Sequence, residues 1–349
     1  MNIYRRGLAL TFFACLLTHL ALGKPIRELA KTDKGRISQT KQQEIRESVE
    51  EAEVELQGDQ VRFSEIVADP YSAVTDGEKL LALSQREMFL LIDQSDSMNS
   101  VDPNPTIAGN HYTPGWTRWK SAHIAAQSLF ELAISLDKDG ILDLSFFRGG
   151  KEDRHHAHLP ACEEFEAKSI LDIDQHFDPH RGRRPGGLTP LAEALTYVYR
   201  SKLADLLHKS EPFTVFILTD GAPNVEEPVY RFFQKLVHDH RLDQPGRETL
   251  AAFSFIRSGD DERAIRFLTI LDDGMKSGLD GSIIVDAQGR PVLTPGGAKI
   301  RKPRIAGLEK GLGVDIIDSK EDNILFGTGL YAGQENVGPL RVMYDAMFD

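Results

Sequence analysis

"FLLIDQSDSMNS", residues 89 to 100, opens as a buried strand and closes as a cluster of side-chain oxygens. Phe89, Leu90, Leu91 and Ile92 run into Asp93, and Ser95, Asp96 and Ser97 follow almost at once. An unbroken apolar run marks a strand covered on both faces, as in a parallel sheet flanked by helices. The oxygens then fall just past its carboxyl end, where open α/β sheets hold their ligands.

The chain on either side repeats this pattern. Strands are expected at "MFLLID" (88 to 93), "ILDLSFF" (141 to 147), "FTVFILTD" (213 to 220), "LAAFSFI" (250 to 256) and "GVDIID" (313 to 318). Helical periodicity falls between them, at 119 to 136, 191 to 207, 229 to 240 and 262 to 273. Strands alternating with helices describe an α/β domain with a doubly wound, mainly parallel sheet and helices on both faces. Two stretches leave the alternation. "FFRGGKEDRHHAHLPAC" (146 to 162) reads as a turn leading into a short antiparallel edge strand, and "SIIVDAQGRPVLT" (282 to 294) as an inserted hairpin around Asp286-Ala287-Gln288-Gly289. No repeat of fixed period is visible along the chain.

Three loops converge on the same predicted sheet edge. The first carries Asp93, Ser95 and Ser97; the second, "RPGGLTPLAEAL", carries Thr189 at a helix start; the third, "FILTDGAPN", carries Asp220. Each alone also fits an ordinary helix cap or turn. Together they offer oxygen donors and neither His nor Cys, a set suited to a hard divalent cation, Mg²⁺ in particular, with Mn²⁺ or Ca²⁺ possible. Two carboxylates balance the ion's charge, and neutral hydroxyls leave it able to accept an oxygen from outside.

At this point the chain resembles the von Willebrand factor A domain family. Its metal-ion-dependent adhesion site has the pattern Asp-x-Ser-x-Ser, a later Thr, and an Asp after a central strand. These stand here as "DQSDS" (93 to 97), Thr189 in "GGLTP" and Asp220 in "LTDG", and the likeness covers roughly residues 86 to 348. It implies a Rossmann-like fold and a cation held by Asp93, Ser95, Ser97, Thr189 and Asp220. Ser95 and Ser97 would bind directly, and Thr189 and Asp220 directly or through water. It further implies a protein partner supplying a Glu or Asp carboxylate. One departure is the long loop "NSVDPNPTIAGNHYTPGW" (99 to 116), which bears on the shape of the ligand surface.

With 349 residues, 41% hydrophobic and 27% charged, the composition is globular, and a net charge of −12 argues against a nucleic-acid partner. Arg5 and Arg6 precede an apolar stretch ending in Ala21-Leu22-Gly23, the order of a secretory signal over residues 1 to 23. A secreted or periplasmic protein without a transmembrane helix in the mature chain is therefore expected. Removing the leader removes Cys15 and leaves Cys162 alone, so no intrachain disulfide is expected. Residues 24 to 85 read as a flexible or helical stalk, and 86 to 349 as one domain.

Other chemistry-bearing residues have plainer readings. His155, His156 and His158 would lie exposed on the edge strand, Cys162 would pack as a small buried side chain, and Asp96 would face solvent. Glu193 beside the Asp93 and Asp220 carboxylates admits a metal-dependent hydrolase as an alternative, but no nucleophile elbow or phosphate loop accompanies it. The expected function is an adhesion or protein-interaction module rather than an enzyme; an assembly factor or co-chaperone of an exported complex is the alternative within that class.

Overall fold

β1 (Glu87–Asp93) is apolar from Met88 to Ile92 because each of its faces is covered by its own core layer. Phe89 and Leu91 join one layer; Met88, Leu90 and Ile92 join the other. The structure, a computed structural model, describes residues 84–101, 117–136, 141–149, 161–178 and 184–321, together with Val342 and Asp345. The expected leader, the stalk to residue 83, the loop 102–116, the three histidines and most of residues 322–349 lie outside them.

The remaining elements follow in chain order: α1 (Arg118–Leu136), β2 (Leu142–Arg148), β3 (Ala161–Ala167), α2 (Ile170–Phe177), α3 (Leu191–Val198), α4 (Ala204–Lys209), β4 (Phe213–Thr219), α5 (Glu227–His240), β5 (Ala251–Arg257), α6 (Glu262–Thr269), α7 (Met275–Ser277) and β6 (Ile317–Glu321). The sheet order is β3-β2-β1-β4-β5-β6. All neighbours run parallel except β2 and β3. The doubly wound sheet with one antiparallel edge strand is therefore as expected. The chain moves outward from β1 through β2 and β3, then returns to pair β4 on the other side of β1. That reversal separates the loops leaving β1 and β4 and opens a crevice at their carboxyl ends. Among the described residues no helix is long and apolar enough to cross a membrane.

α1 and α2 share a core layer with one face of the sheet, where Trp119 packs against Phe177 and Phe146 at ring-centroid distances of 4.5 and 5.9 Å. α3, α5 and α6 share the other layer, where Phe233 meets Phe253 edge-on at 5.0 Å. Each such ring contributes about 2 to 3 kcal/mol on leaving water. Arg86 stands at the foot of β1, 2% exposed, and donates to Thr214 Oγ1 at 2.7 Å, to Thr249 O at 2.5 Å and to Phe213 O. It ties β1 to β4, and burial lowers its pKa to about 9.

Some boundaries depart from expectation. The edge strand is Ala161–Ala167; Cys162 on it is half-buried, and burial pushes its thiol up to about 12. α2 was not expected at all. The helix expected at 191 to 207 runs on to Lys209 through a π-turn at Tyr199–Leu203, and the one at 262 to 273 runs on to Ser277 through another at Ile270–Gly274. The last strand is Ile317–Glu321 rather than 313 to 318.

The expected hairpin at 282 to 294 is present, with Val285 bridged to Pro291, but it belongs to a larger unit. Val292 N donates to Ile284 O at 2.9 Å, Ile300 N to Val292 O at 2.9 Å, and Ile284 N to Ile300 O at 3.0 Å, so three short arms close on one another. The turns between them match: Asp286 N to Arg290 O recurs as Thr294 N to Ala298 O, both 2.8 Å. A local repeat of eight residues thus exists where none was expected.

β6 is tied to the helix before this unit by Asp272, which accepts from Ser319 N and Ser319 Oγ, both at 2.9 Å. Burial, and then the charge of Asp318, push the Asp272 carboxyl up to about 7. The unfolded chain releases this proton near pH 4, whereas the folded chain holds it until about 7. The contribution to stability is thus full below about pH 4 and is lost as pH rises through 7. Asp272→Asn is expected to be about 1 to 2 kcal/mol more stable than the parent at pH 8 and no more stable at pH 4. Urea unfolding at both pH values checks it, and an identical decline with pH in parent and variant would refute it.

Candidate functional site

β1 and β4 are neighbours, with Ile92 beside Leu218, so Asp93 at the end of β1 and Asp220 just after β4 come together at the crevice. Asp93 is 0% exposed. Ser95 N donates to its Oδ1 and Thr219 Oγ1 to its Oδ2, both at 2.8 Å. Burial first, and the charge of Asp220 second, raise its pKa to about 7 against the pull of these hydrogen bonds.

Past Asp93 the backbone enters a single 3-10 turn, Asp96–Asn99, which presents Ser95 and Ser97 together. Their Oγ atoms are 2.9 Å apart, and Ser97 Oγ donates to Asp220 Oδ1 at 2.8 Å. Asp220 is 0% exposed, and its carboxyl is raised by burial, opposed by Arg118 and Ser97. Asp96 faces solvent, as expected.

Thr189 arrives on the loop before α3, which is pinned to the first loop by backbone bonds. Gly186 N donates to Gln94 O at 2.8 Å and Asp96 N to Gly187 O at 3.1 Å, while Gly149 and Leu188 exchange bonds of 2.9 and 3.2 Å. Gly187 has φ +89°, and a Cβ there would lie 1.7 Å from Gly149 O. Gly187→Ala is expected to cost about 3 kcal/mol, or to displace the loop that carries Thr189. A thermal unfolding midpoint equal to the parent's, with unchanged ion affinity, would contradict this role.

Ser95, Ser97, Thr189 and Asp220 line one open cleft of about 260 Å³ with Asp93 buried beneath it. The structure thus brings all five expected residues to one place, four on the surface of the cleft and one behind them. Glu193 is exposed in the first turn of α3 and is outside the lining of this cleft. Among the described residues no group of three or more His, Cys, Asp or Glu is placed to hold a metal ion. An ion held here would therefore draw on two carboxylates and on hydroxyls, a hard-oxygen set that fits Mg²⁺, Mn²⁺ or Ca²⁺ and no soft metal.

The cleft also holds Arg118, Asn224, Asp261 and Arg263, none of them among the expected site residues. Arg118, the first residue of α1, places Nη1 2.8 Å from Asp220 Oδ2, and its side chain is 13% exposed. Its Nε is buried without a hydrogen-bond partner among the described residues. A cation at a helix amino terminus opposes the helix dipole. That misfit was the available signal that Arg118 answers to a carboxylate elsewhere. The opposite rim comes from the first turn of α6: Asp261 accepts from Ala264 N at 2.8 Å, and Arg263 Nη2 donates to Pro223 O at 2.9 Å, holding the turn after Asp220.

No protein-family model and no curated protein matches the chain. Among solved structures it is similar to the manganese-loaded TRAP protein of Plasmodium vivax, with 17% identity and a TM-score of 0.37. The match covers 54% of this chain and 63% of that one.

Proposed function

We propose that this is an exported, secreted or periplasmic protein whose α/β domain binds one divalent cation, Mg²⁺ by donor chemistry, through Asp93, Ser95, Ser97, Thr189 and Asp220. Through that ion it takes a Glu or Asp carboxylate from a protein partner. The observation that carries this is the continuous run of oxygens from Ser95 through Ser97 to Asp220, at 2.9 and 2.8 Å. Residues from loops more than a hundred positions apart supply it, beside Thr189 and above a buried aspartate. Helix capping alone gives no reason for separate loops to pool their oxygens. The Ser and Thr hydroxyls add donors without adding negative charge, so a bound dication is left able to accept the oxygen of an incoming carboxylate.

Isothermal titration of the mature chain with Mn²⁺ and with Mg²⁺ tests the proposal. Saturable binding of one Mn²⁺ per chain is expected, with Mg²⁺ competing for it. Silence with both ions would return these residues to the role of loop caps.

A further inference from the structure

The three-armed unit between α7 and β6 has an unusual outward face. Ile284 and Ile300 are buried and Val292 packs against the same core, so these alternate positions fasten the unit to the domain. Their neighbours point away: Val285 is 53% and Leu293 51% exposed, and Pro291, Lys299 and Arg301 are exposed beside them. A sheet with one solvated face ordinarily presents polar side chains there. Apolar side chains ringed by cations mark an interaction surface instead.

The charge is as distinctive as the shape. From residue 283 to 304 the chain carries Arg290, Lys299, Arg301, Lys302 and Arg304 against the single acid Asp286, in a protein of net charge −12. Arg290 pairs with Asp286, and Lys302 is buried against Asp280, so the outward charge is that of Lys299, Arg301 and Arg304. Arg301 and Arg304 donate to the carbonyls of Gly281 and Asp280, contacts that hold the guanidinium groups in place and leave their charge in force. The unit is joined to the turn that borders the cleft. Gly296 N donates to Glu262 Oε1 at 2.7 Å, and the residues on either side of Glu262, Asp261 and Arg263, line the cleft.

We propose that this basic arm is the docking surface for an acidic, leucine-type segment of the partner protein, one carboxylate of which enters the neighbouring cleft. The anchoring carboxylate rests on the ion-site proposal above; the arm's own contacts with the segment do not. Charge complementarity selects an acidic occupant, and Val285 and Leu293 select apolar side chains within it. A nucleic acid backbone would leave Val285 and Leu293 without apolar side chains to cover them. A lipid surface would call for the aromatic residues this face lacks.

The test uses the full mature chain and a fluorescein-labelled peptide of alternating Glu and Leu, read by anisotropy with Mn²⁺ and with chelator. Binding is expected to weaken at least about tenfold when Lys299, Arg301 and Arg304 are all changed to Glu, and likewise in Val285→Ser with Leu293→Ser, while the Mn²⁺ titration stays as in the parent. Lys299→Glu alone, expected to weaken binding about threefold, serves if the triple variant fails to fold. Peptide binding unaffected by these changes overturns the proposal. Preference for phosphatidylserine vesicles or duplex DNA over the peptide also overturns it, as does a dimer in light scattering that the charge reversal dissolves. Arm-dependent peptide binding without Mn²⁺ binding would sink the ion site and leave the arm, whereas Mn²⁺ binding with arm-independent peptide binding would do the reverse.

Discussion

Asp93→Asn and Asp220→Asn are each expected to weaken Mn²⁺ binding by at least about 100-fold, yet to move the stability of the fold in opposite directions. Asp93 and Asp220 are the two carboxylates joined to the run of serine hydroxyls, and affinity in oxygen sites follows ligand charge. The two differ in what surrounds them. Asp93 is buried with its pKa raised to about 7, so at pH 8 the folded chain holds a desolvated anion facing the charge of Asp220. A neutral amide of the same size relieves that, and Thr219 Oγ1, which lies 3.3 Å from Gly221 O, can turn its proton to that carbonyl. Asp93→Asn should therefore gain on the order of 1 to 2 kcal/mol at pH 8, a gain that shrinks as pH falls through 7 and vanishes near 4. Asp220→Asn instead strips the carboxylate from a largely buried Arg118 and should lose about 2 kcal/mol. Unfolding in chelator at pH 8 reads both signs. Stability changes of the same sign, or retained Mn²⁺ binding in either variant, would refute this account of the pair.

The parts of this molecule legible in the sequence are those fixed by pattern over short spans. β1, β4 and β5 are apolar at successive positions because both their faces are covered, and that run is visible without knowing what covers them. β6 was displaced in the sequence reading because the apolar residues of "GVDIID" are not all sheet residues. Val314 and Ile316 are buried before the strand begins, while Ser319, Lys320 and Glu321 pair with β5 at the sheet edge. α2 is only eight residues long, too short a window for Ile173 and Phe177 on its buried face to mark a helix by pattern alone. Its start was nevertheless written in Ser169 and Asp172, whose carboxylate reaches back to Ser169 N at 2.9 Å. Of the cleft, the oxygens could be read because each follows a strand or opens a helix, positions that the topology alone sends to one edge. The closure of the arm left only a short trace, Ile284, Val292 and Ile300 with Gly289 and Gly297 recurring every eight residues, because it is made mainly by backbone bonds between the arms.

Arg118, whose only trace in the sequence is a cation at a helix start, carries the second large effect: Arg118→Gln is expected to raise Mn²⁺ affinity by about tenfold. The guanidinium holds Asp220 Oδ2 at 2.8 Å, while Asp220 Oδ1 accepts from Ser97 at the same distance. One carboxylate thus serves the resident cation with one oxygen and the cleft with the other. A dication drawing on Asp220 must share it with a fixed like charge nearby, in a setting where burial keeps the electrostatic interaction strong. Glutamine keeps a donor for Oδ2 and removes the repulsion. The same change leaves Asp220 a buried anion without its ion pair, so in chelator the variant should unfold at a lower temperature than the parent. Saturating Mn²⁺ should restore more stability to the variant than to the parent, because stabilisation by a ligand grows with its affinity. An affinity equal to or below the parent's would make Arg118 a support of the site rather than a rival for it. Within this cleft the arginine then sets a threshold: cation binding must outweigh an ion pair already formed, and a carboxylate brought beside Arg118 by the proposed partner would lower that threshold by giving the guanidinium a second anion to face.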